Sequence, residues 1–330
     1  MTNNQRSSFT LSCLVLLWAG ASPALATMYI TGNGGTNDTD PQQYYRFYSG
    51  SDKAFVGQSY DWSGVGSNGS WATMISPTFF ISATHDNPGA GSQVTFYPGN
   101  TTSSPYVGTV GGGSQIAGTD VYLGWLTQSI PSSAHITDYP VLALPNDNAY
   151  AGTTIYTYGS SNLVGRNVIS SVQTYSEIGE TMTGMFFNYD LPGVGADESY
   201  LMGGDSGGPS FAVVNGQLAL LGEHFSNWGT CGQPGAPGNV GPTINDGILV
   251  GGDPNTSNPA NSVGQWWSVD GFVPDYVSTI NAQMAADALA HGVGGGEHVT
   301  TVVPEPSSLA LLLGFAGGAV AWAIRRRRAY

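Results

Sequence analysis

The stretch Met202 to Ser210 reads Met-Gly-Gly-Asp-Ser-Gly-Gly-Pro-Ser, and its reading decides the fold. A serine among glycines is either one more turn in a chain with 48 glycines among 330 residues, or a nucleophile held by a shaped loop. A nucleophilic serine needs a base to take its proton, a carboxylate to orient that base, and donors for the oxyanion. The loop can supply the donors. Gly204 can take backbone angles closed to other residues, which aims its N–H at the same point as that of Ser206. Gly207 and Gly208 leave room for chain and substrate. The hexapeptide Gly204 to Pro209 is rare by chance even in so glycine-rich a chain, and is a stronger signal than a lone Gly-x-Ser-x-Gly.

Working outward, the segment TMISPTFFISATHD (73–86) is two apolar strands joined by the tight turn Ser76-Pro77-Thr78, with His85 directly after the second strand. The segment GTDVYLGWL (118–126) sets Asp120 before an apolar run. The stretches VLALP (141–145) and AGTTIYTYG (151–159) follow. Apolar strand, turn, apolar strand and Ala83-Thr84-His85, then Asp120, then Gly204-Asp205-Ser206-Gly207-Gly208-Pro209, resembles the chymotrypsin-like (trypsin-family) serine proteases, in that family's order of His, Asp and Ser. The resemblance covers roughly residues 68–290, densely around the three sites and thinly elsewhere. It implies an all-β fold of two six-stranded antiparallel β-barrels with a C-terminal α-helix, in lobes of about 27–150 and 151–291. It implies His85, Asp120 and Ser206 as the catalytic residues and the N–H groups of Gly204 and Ser206 as the oxyanion hole. Asp86 adjoins His85, but neighbouring side chains in extended chain point apart; Asp138 reads as a solvated loop charge.

In such proteases the acid beside the nucleophile pairs with a newly freed N-terminus and supports the oxyanion loop. Asp205 holds that place, yet residues 27–60 contain no matching start. Its partner is therefore open: Arg46, Lys53, Arg166, the Thr27 amine, or backbone N–H groups. Tyr200 stands six residues before the nucleophile, where the resemblance puts the base of the first substrate pocket and where cleavage after Lys or Arg requires Asp. Trypsin-like specificity is not expected. His224, in LLGEHFSN, resembles the Gly-x-His of glutamyl endopeptidases, where the imidazole meets a substrate carboxylate. It is otherwise a packed pocket-lining residue. The expected first-pocket preference is Glu or a medium apolar side chain. Places that often hold Cys in this family hold Asp86 and Met202.

The pattern along the chain agrees with the resemblance. Strand signals recur at about ten-residue intervals between Gly, Pro, Asn and Ser clusters, at 71–75, 79–83, 93–97, 154–158, 185–189 and 218–221. A single late helix over 275–290 follows from the stripe Val273, Tyr276, Ile280 and Met284, with Gly292 as its stop. Residues 229–265 read as a long loop and 292–302 as a flexible linker.

Both ends read as addresses. Residues 1–26 carry a weakly positive start at Arg6, the apolar run Leu11 to Gly20 and the small-residue site Ala24-Leu25-Ala26, the pattern of a secretory signal peptide. Val303-Pro304-Glu305-Pro306, the apolar run Leu309 to Ile324 and Arg325 to Arg328 resemble the PEP-CTERM sorting signal of Gram-negative bacteria, over 303–330. That resemblance implies recognition and cleavage near the Pro-Glu-Pro triplet by an exosortase-type membrane enzyme, with a transient inner-membrane anchor. A permanent single-span anchor is the alternative. Either places the body outside the cytoplasm, at the cell surface or in the extracellular matrix.

Without these ends the 22 acids lose Glu305 and the eight bases lose Arg6 and the four terminal arginines. That leaves 21 acids against Arg46, Lys53 and Arg166, a formal charge of −18. Such a field repels nucleic acid and anionic membrane surfaces. Cys13 lies in the signal, so Cys231 stands alone and no internal disulfide is possible. His135, His291 and His298 read as surface residues. The acidic stretches 37–40 and 246–253 match no recognised calcium spacing, and neither metal nor cofactor is expected. The expected function is a secreted serine endopeptidase acting on protein or peptide substrates through an acyl-enzyme, with activity that falls as pH drops through the imidazole range. An esterase using the same triad is hard to separate from it. The alternative is a catalytically silent cell-surface or matrix binding protein on a protease fold.

Overall fold

A computed structural model describes residues 28–30, 44–48, 55–177, 180–189, 194–231, 243–244 and 264–304. The expected signal peptide, the two acidic stretches and the sorting tail beyond residue 304 lie outside the described residues.

After the short strand β1 (Tyr29–Ile30), six strands close the first barrel: β2 (Val65–Ser67), β3 (Trp71–Met74), β4 (Phe79–Ala83), β5 (Gln93–Phe96), β6 (Tyr106–Gln115) and β7 (Val121–Leu126), in the ring order β2-β3-β4-β7-β6-β5. The connection to the second half carries β8 (Val141–Leu142). There follow β9 (Thr154–Gly159), β10 (Leu163–Glu177), β11 (Glu180–Tyr189), β12 (Ser199–Tyr200), β13 (Pro209–Val214), β14 (Gln217–Cys231), β15 (Thr243–Ile244) and β16 (Gly264–Phe272). The order β13-β9-β10-β11-β16-β14 closes into a second six-stranded barrel through the β13–β14 pairing. β12 pairs with β1 instead. A C-terminal helix α1 (Val277–His291) and a last strand β17 (Thr301–Val302) complete the chain. The fold is trypsin-like.

Period-two patterning explains the barrels. In β4, Phe79 and Ile81 face the seam between the halves, and Phe80 faces the interior of the first barrel. β7 repeats this, with Val121, Leu123 and Trp125 on the seam and Tyr122 and Leu126 inside. Gly124 takes the remaining inward position, because a Cβ there would fall 2.1 Å from the Phe80 ring. In β14, Leu218 and Leu220 face the seam while Ala219 and Leu221 fill the second barrel. The seam is therefore one continuous apolar layer, closed by Ile280 and Met284 of the helix. The loops that carry the candidate site residues adjoin strands anchored in it.

The helix begins at Val277, after a 3-10 turn over Val273–Tyr276, and ends where Gly292 turns left-handed at φ 70°. Strand β14 runs on to Cys231 and β15 follows, so the expected loop at 229–265 is partly strand.

The expected flexible linker at 292–302 is corrected by the structure. Glu297 folds back onto the β3–β4 turn, accepting hydrogen bonds from the Thr78 N–H (3.0 Å) and hydroxyl (2.7 Å) and from the Ser76 hydroxyl (2.6 Å). Val299 is buried, and its N–H donates to Asn281 of the helix at 2.7 Å. β17 then pairs parallel with β8, with Ala143 N–H donating to Val302 O at 2.9 Å. One carboxylate and one apolar side chain outweigh the chain entropy of the glycines, and the segment is a strap across the seam.

Candidate active site

His85 sits two residues beyond β4 and Asp120 immediately before β7, and these two strands pair along their length, from Phe79 with Trp125 to Ala83 with Val121. The pairing brings the two side chains together. Asp120 accepts from the His85 backbone N–H through Oδ1 at 3.1 Å and faces ring Nδ1 through Oδ2 at 2.7 Å. The Thr84 N–H donates to the Asp120 carbonyl at 2.5 Å. Asp120 is buried at 3 % exposure, whereas the His85 side chain keeps 39 %. A buried carboxylate against Nδ1 makes that nitrogen the N–H bearer and leaves base chemistry to Nε2. The Phe225 ring meets the imidazole edge-on at 5.9 Å between centroids.

Ser206 enters from the second barrel. Its loop runs from β12 to β13 and is half-buried at the serine. Gly204 has φ 96° and Gly207 φ 77°, conformations that disfavour any side chain. Gly207 lies flush on the histidine-bearing segment: a Cβ there would stand 2.9 Å from Ser82 Oγ, 3.0 Å from Ala83 N and 3.1 Å from Asp86 O. This close approach seats the serine loop on the segment that carries His85. Among the described residues, no hydrogen bond engages the Ser206 hydroxyl or the N–H groups of Gly204 and Ser206. Trp71 Nε1 donates to the Gly204 carbonyl at 3.4 Å. A cleft of about 370 Å³ opens beside Gly204, with Trp71, Tyr97 and Ser160 among its walls.

Asp205 is buried, at 1 % exposure. Its Oδ1 accepts from the Ser160 N–H at 2.6 Å and its Oδ2 from the Met202 N–H at 2.7 Å. Of the expected partners, the backbone is the one these contacts show; Lys53 and Thr27 lie outside the described residues. Arg46 instead donates to the carbonyls of Tyr97 (2.9 Å) and Gly99 (2.8 Å), and Arg166 pairs with Asp197. Burial pushes the Asp205 carboxyl above its ordinary value, and the two N–H groups and the charge of His224 pull it back.

The residues assigned to the first substrate pocket are enclosed. Tyr200 has no exposed surface, its ring lies edge-on to Tyr189 at 6.3 Å, and burial pushes its phenol well above its ordinary range. His224 is 1 % exposed; its Nδ1 faces Asp270 Oδ1 at 2.9 Å and its Nε2 faces the Tyr158 carbonyl at 3.2 Å. With both ring nitrogens engaged inside the protein, the imidazole presents neither to a substrate carboxylate. Asp86 accepts from the Ser70 hydroxyl at 2.5 Å, clear of the His85 ring nitrogen that Asp120 holds. Asp138, His135, His291 and His298 lie on the surface. The His291 ring stacks on Trp125 at 4.5 Å. Asp270 and the Tyr158 carbonyl are missed by the sequence reading. An acid inside the apolar strand Trp266 to Phe272 is the signal that could have found the first.

Residues 302–328 match the PEP-CTERM protein-sorting motif. No curated protein matches the chain. Among solved structures, the NS6 protease of murine norovirus 1 is similar at 17 % identity, over 50 % of this chain and 83 % of that one, with a TM-score of 0.34. The MamO protease domain of Magnetospirillum magneticum is similar at 13 % identity, over 65 % and 89 %, with a TM-score of 0.37. Among the described residues, no group of His, Cys, Asp and Glu could hold a metal ion, and no helix is long and apolar enough to cross a membrane.

Proposed function

We propose that the protein is an exported serine endopeptidase. Ser206 Oγ attacks the peptide carbonyl as His85 Nε2 takes its proton. Asp120 holds the imidazole's tautomer and balances the charge it gains. The negative charge on the carbonyl oxygen falls to the N–H groups of Gly204 and Ser206, which have no competing protein acceptor among the described residues. His85 then returns the proton to the leaving amine. Water repeats the sequence on the acyl-enzyme and releases the acid, which frees Ser206.

One observation carries this reading: the buried Asp120 grips His85 at both ring and backbone, beside a glycine-shaped serine loop packed on the same strand. A fluorophosphonate probe tests it. The expected result is covalent labelling that is absent in Ser206→Ala; no Ser206-dependent labelling leaves the binding-protein alternative. The sorting motif supports export and surface sorting, with an exosortase-type enzyme as the partner of the tail. The enclosure of His224 favours the apolar version of the specificity. Peptides that differ only in Glu, Gln, Phe or Ala before the scissile bond test this, and a preference for Glu over Gln would overturn it.

A further inference from the structure

A second histidine–carboxylate pair lies beneath the serine loop, and the catalytic chemistry above does not use it. His224 on β14 and Asp270 on β16 stand opposite each other in neighbouring strands and are both buried, at 1 % and 0 % exposure. The hydrogen-bond partners fix the proton count. A carbonyl oxygen only accepts, so the Nε2 that faces Tyr158 O carries a hydrogen. Nδ1 faces a carboxyl oxygen, and the other oxygen of that carboxyl, Asp270 Oδ2, finds no donor among the described residues. The ring is thus the hydrogen-bond partner of Asp270. A neutral imidazole over a carboxylate would set two lone pairs against each other at one of its nitrogens. Two arrangements satisfy both contacts: a protonated imidazole on a carboxylate, or a neutral imidazole that accepts from a protonated Asp270; the further acids around the ring favour the first.

The same pair is built into the nucleophile loop. Gly207 N–H donates to His224 O at 2.8 Å, and His224 N–H donates to Gly208 O at 2.7 Å. A Cβ on Gly208 would stand 2.8 Å from His224 Cδ2 and 2.9 Å from Asp205 O, so the ring and the Asp205 backbone flank one glycine. Tyr158 and Gly159 at the end of β9, with Ser160 just after it, form a common wall: the Tyr158 carbonyl faces the imidazole, and the Ser160 N–H holds the Asp205 carboxylate. Glu223, next along β14, is also buried and packs against Gly271. The acids around the ring are therefore Asp205 from the loop, Asp270 from β16 and Glu223 from its own strand. His224 is the basic side chain set among them.

We infer that His224 is the internal counter-charge of Asp205 and so a positioning residue for the Gly204–Gly208 loop, with Asp270 holding the imidazole in its charged form. It fills the place that a freed N-terminus takes in the proteases this chain resembles. No proteolytic step is then needed to supply the charge. The inference deepens the serine-peptidase reading and rests on it.

Two measurements test it. In neutral buffer, nitrogen spectra of the histidine-labelled protein should show both ring nitrogens of His224 protonated. The signal is assigned by its loss in His224→Gln or, if that variant does not fold, by elimination with variants at the other four histidines. A His224 ring with one bare nitrogen would overturn the inference, whether or not the protein is active. The second measurement is a double-mutant cycle on the rate of Ser206 labelling. His224→Gln and Asp205→Asn should each slow labelling by about tenfold to a hundredfold. Together they should cost less than the two separate losses combined, because each removes the same charge–charge interaction. Additive losses would overturn the inference. A wild-type protein without any labelling would remove the peptidase reading and leave the spectrum to decide the charge of His224.

Discussion

Asp120 reaches His85 twice, with Oδ2 on the ring Nδ1 at 2.7 Å and Oδ1 on the backbone N–H at 3.1 Å. The second contact holds the peptide, so the carboxylate sets the position of the residue as well as the tautomer of its ring. Asp120→Asn keeps the size of the side chain and can offer an amide hydrogen to Nδ1, which favours the wrong tautomer. Labelling of Ser206 should fall about 10⁴-fold while the unfolding midpoint shifts little. Stopped-flow labelling and urea unfolding on the same preparations check both halves.

Gly207 separates loop placement from general stability. Gly207→Ala combines a left-handed φ of 77° with contacts of about 3 Å to Ser82, Ala83 and Asp86, so the loop must lift from the histidine-bearing segment. A shift of about 1 Å is enough to lower the labelling rate about 100-fold. Gly216→Ala has a similar φ of 80° and no atom within 4 Å of the new Cβ. It should cost about 1 kcal/mol of stability and leave the labelling rate unchanged.

The Asp205 carboxyl gives stability a pH dependence of definite sign. Its folded value is raised above the ordinary 3.8 by burial. The folded state therefore holds this proton more tightly than the unfolded chain does. The stability this provides is fully present below 3.8 and is lost as pH rises through the raised folded value. Urea unfolding of Ser206→Ala across the acidic range should contain this falling component, and Ser206→Ala/Asp205→Asn should lack it.

Glu297 anchors the strap by three hydrogen bonds to Ser76 and Thr78. Glu297→Ala leaves those donors to each other and to water and should lower the unfolding free energy by about 1–2 kcal/mol. Because β4 starts at Phe79 and leads to His85, faster proteolytic nicking of the strap and a slower labelling rate should appear together.

The sequence made legible what neighbours in the chain decide. Strand β4 has the expected bounds, since five apolar residues between a turn and a histidine leave little choice. The stripe ending in Ile280 and Met284 located the helix for the same reason. The three residues proposed as reactive were picked out through local motifs. What escaped depends on partners far apart in the chain. Asp205 is held by backbone groups of Ser160 and Met202, and a backbone N–H leaves no mark in a sequence. Glu297 looked like one polar residue in a glycine-rich tether, because Ser76, which it binds, lies 221 residues upstream. The Gly-x-His spacing around His224 suggested a pocket, and only the strand pairing with β16 turns the ring toward Asp270.

Strand β17 also bears on how the chain can be trimmed. Val302 is the last residue paired to β8 and the first residue of the sorting motif. Body and address thus share a residue. A cut downstream of Val302 removes the tail and leaves every described strand in place, whereas a cut upstream of Thr301 takes a strand away. The hydrogen bonds of β17 mark the border up to which the tail is expendable.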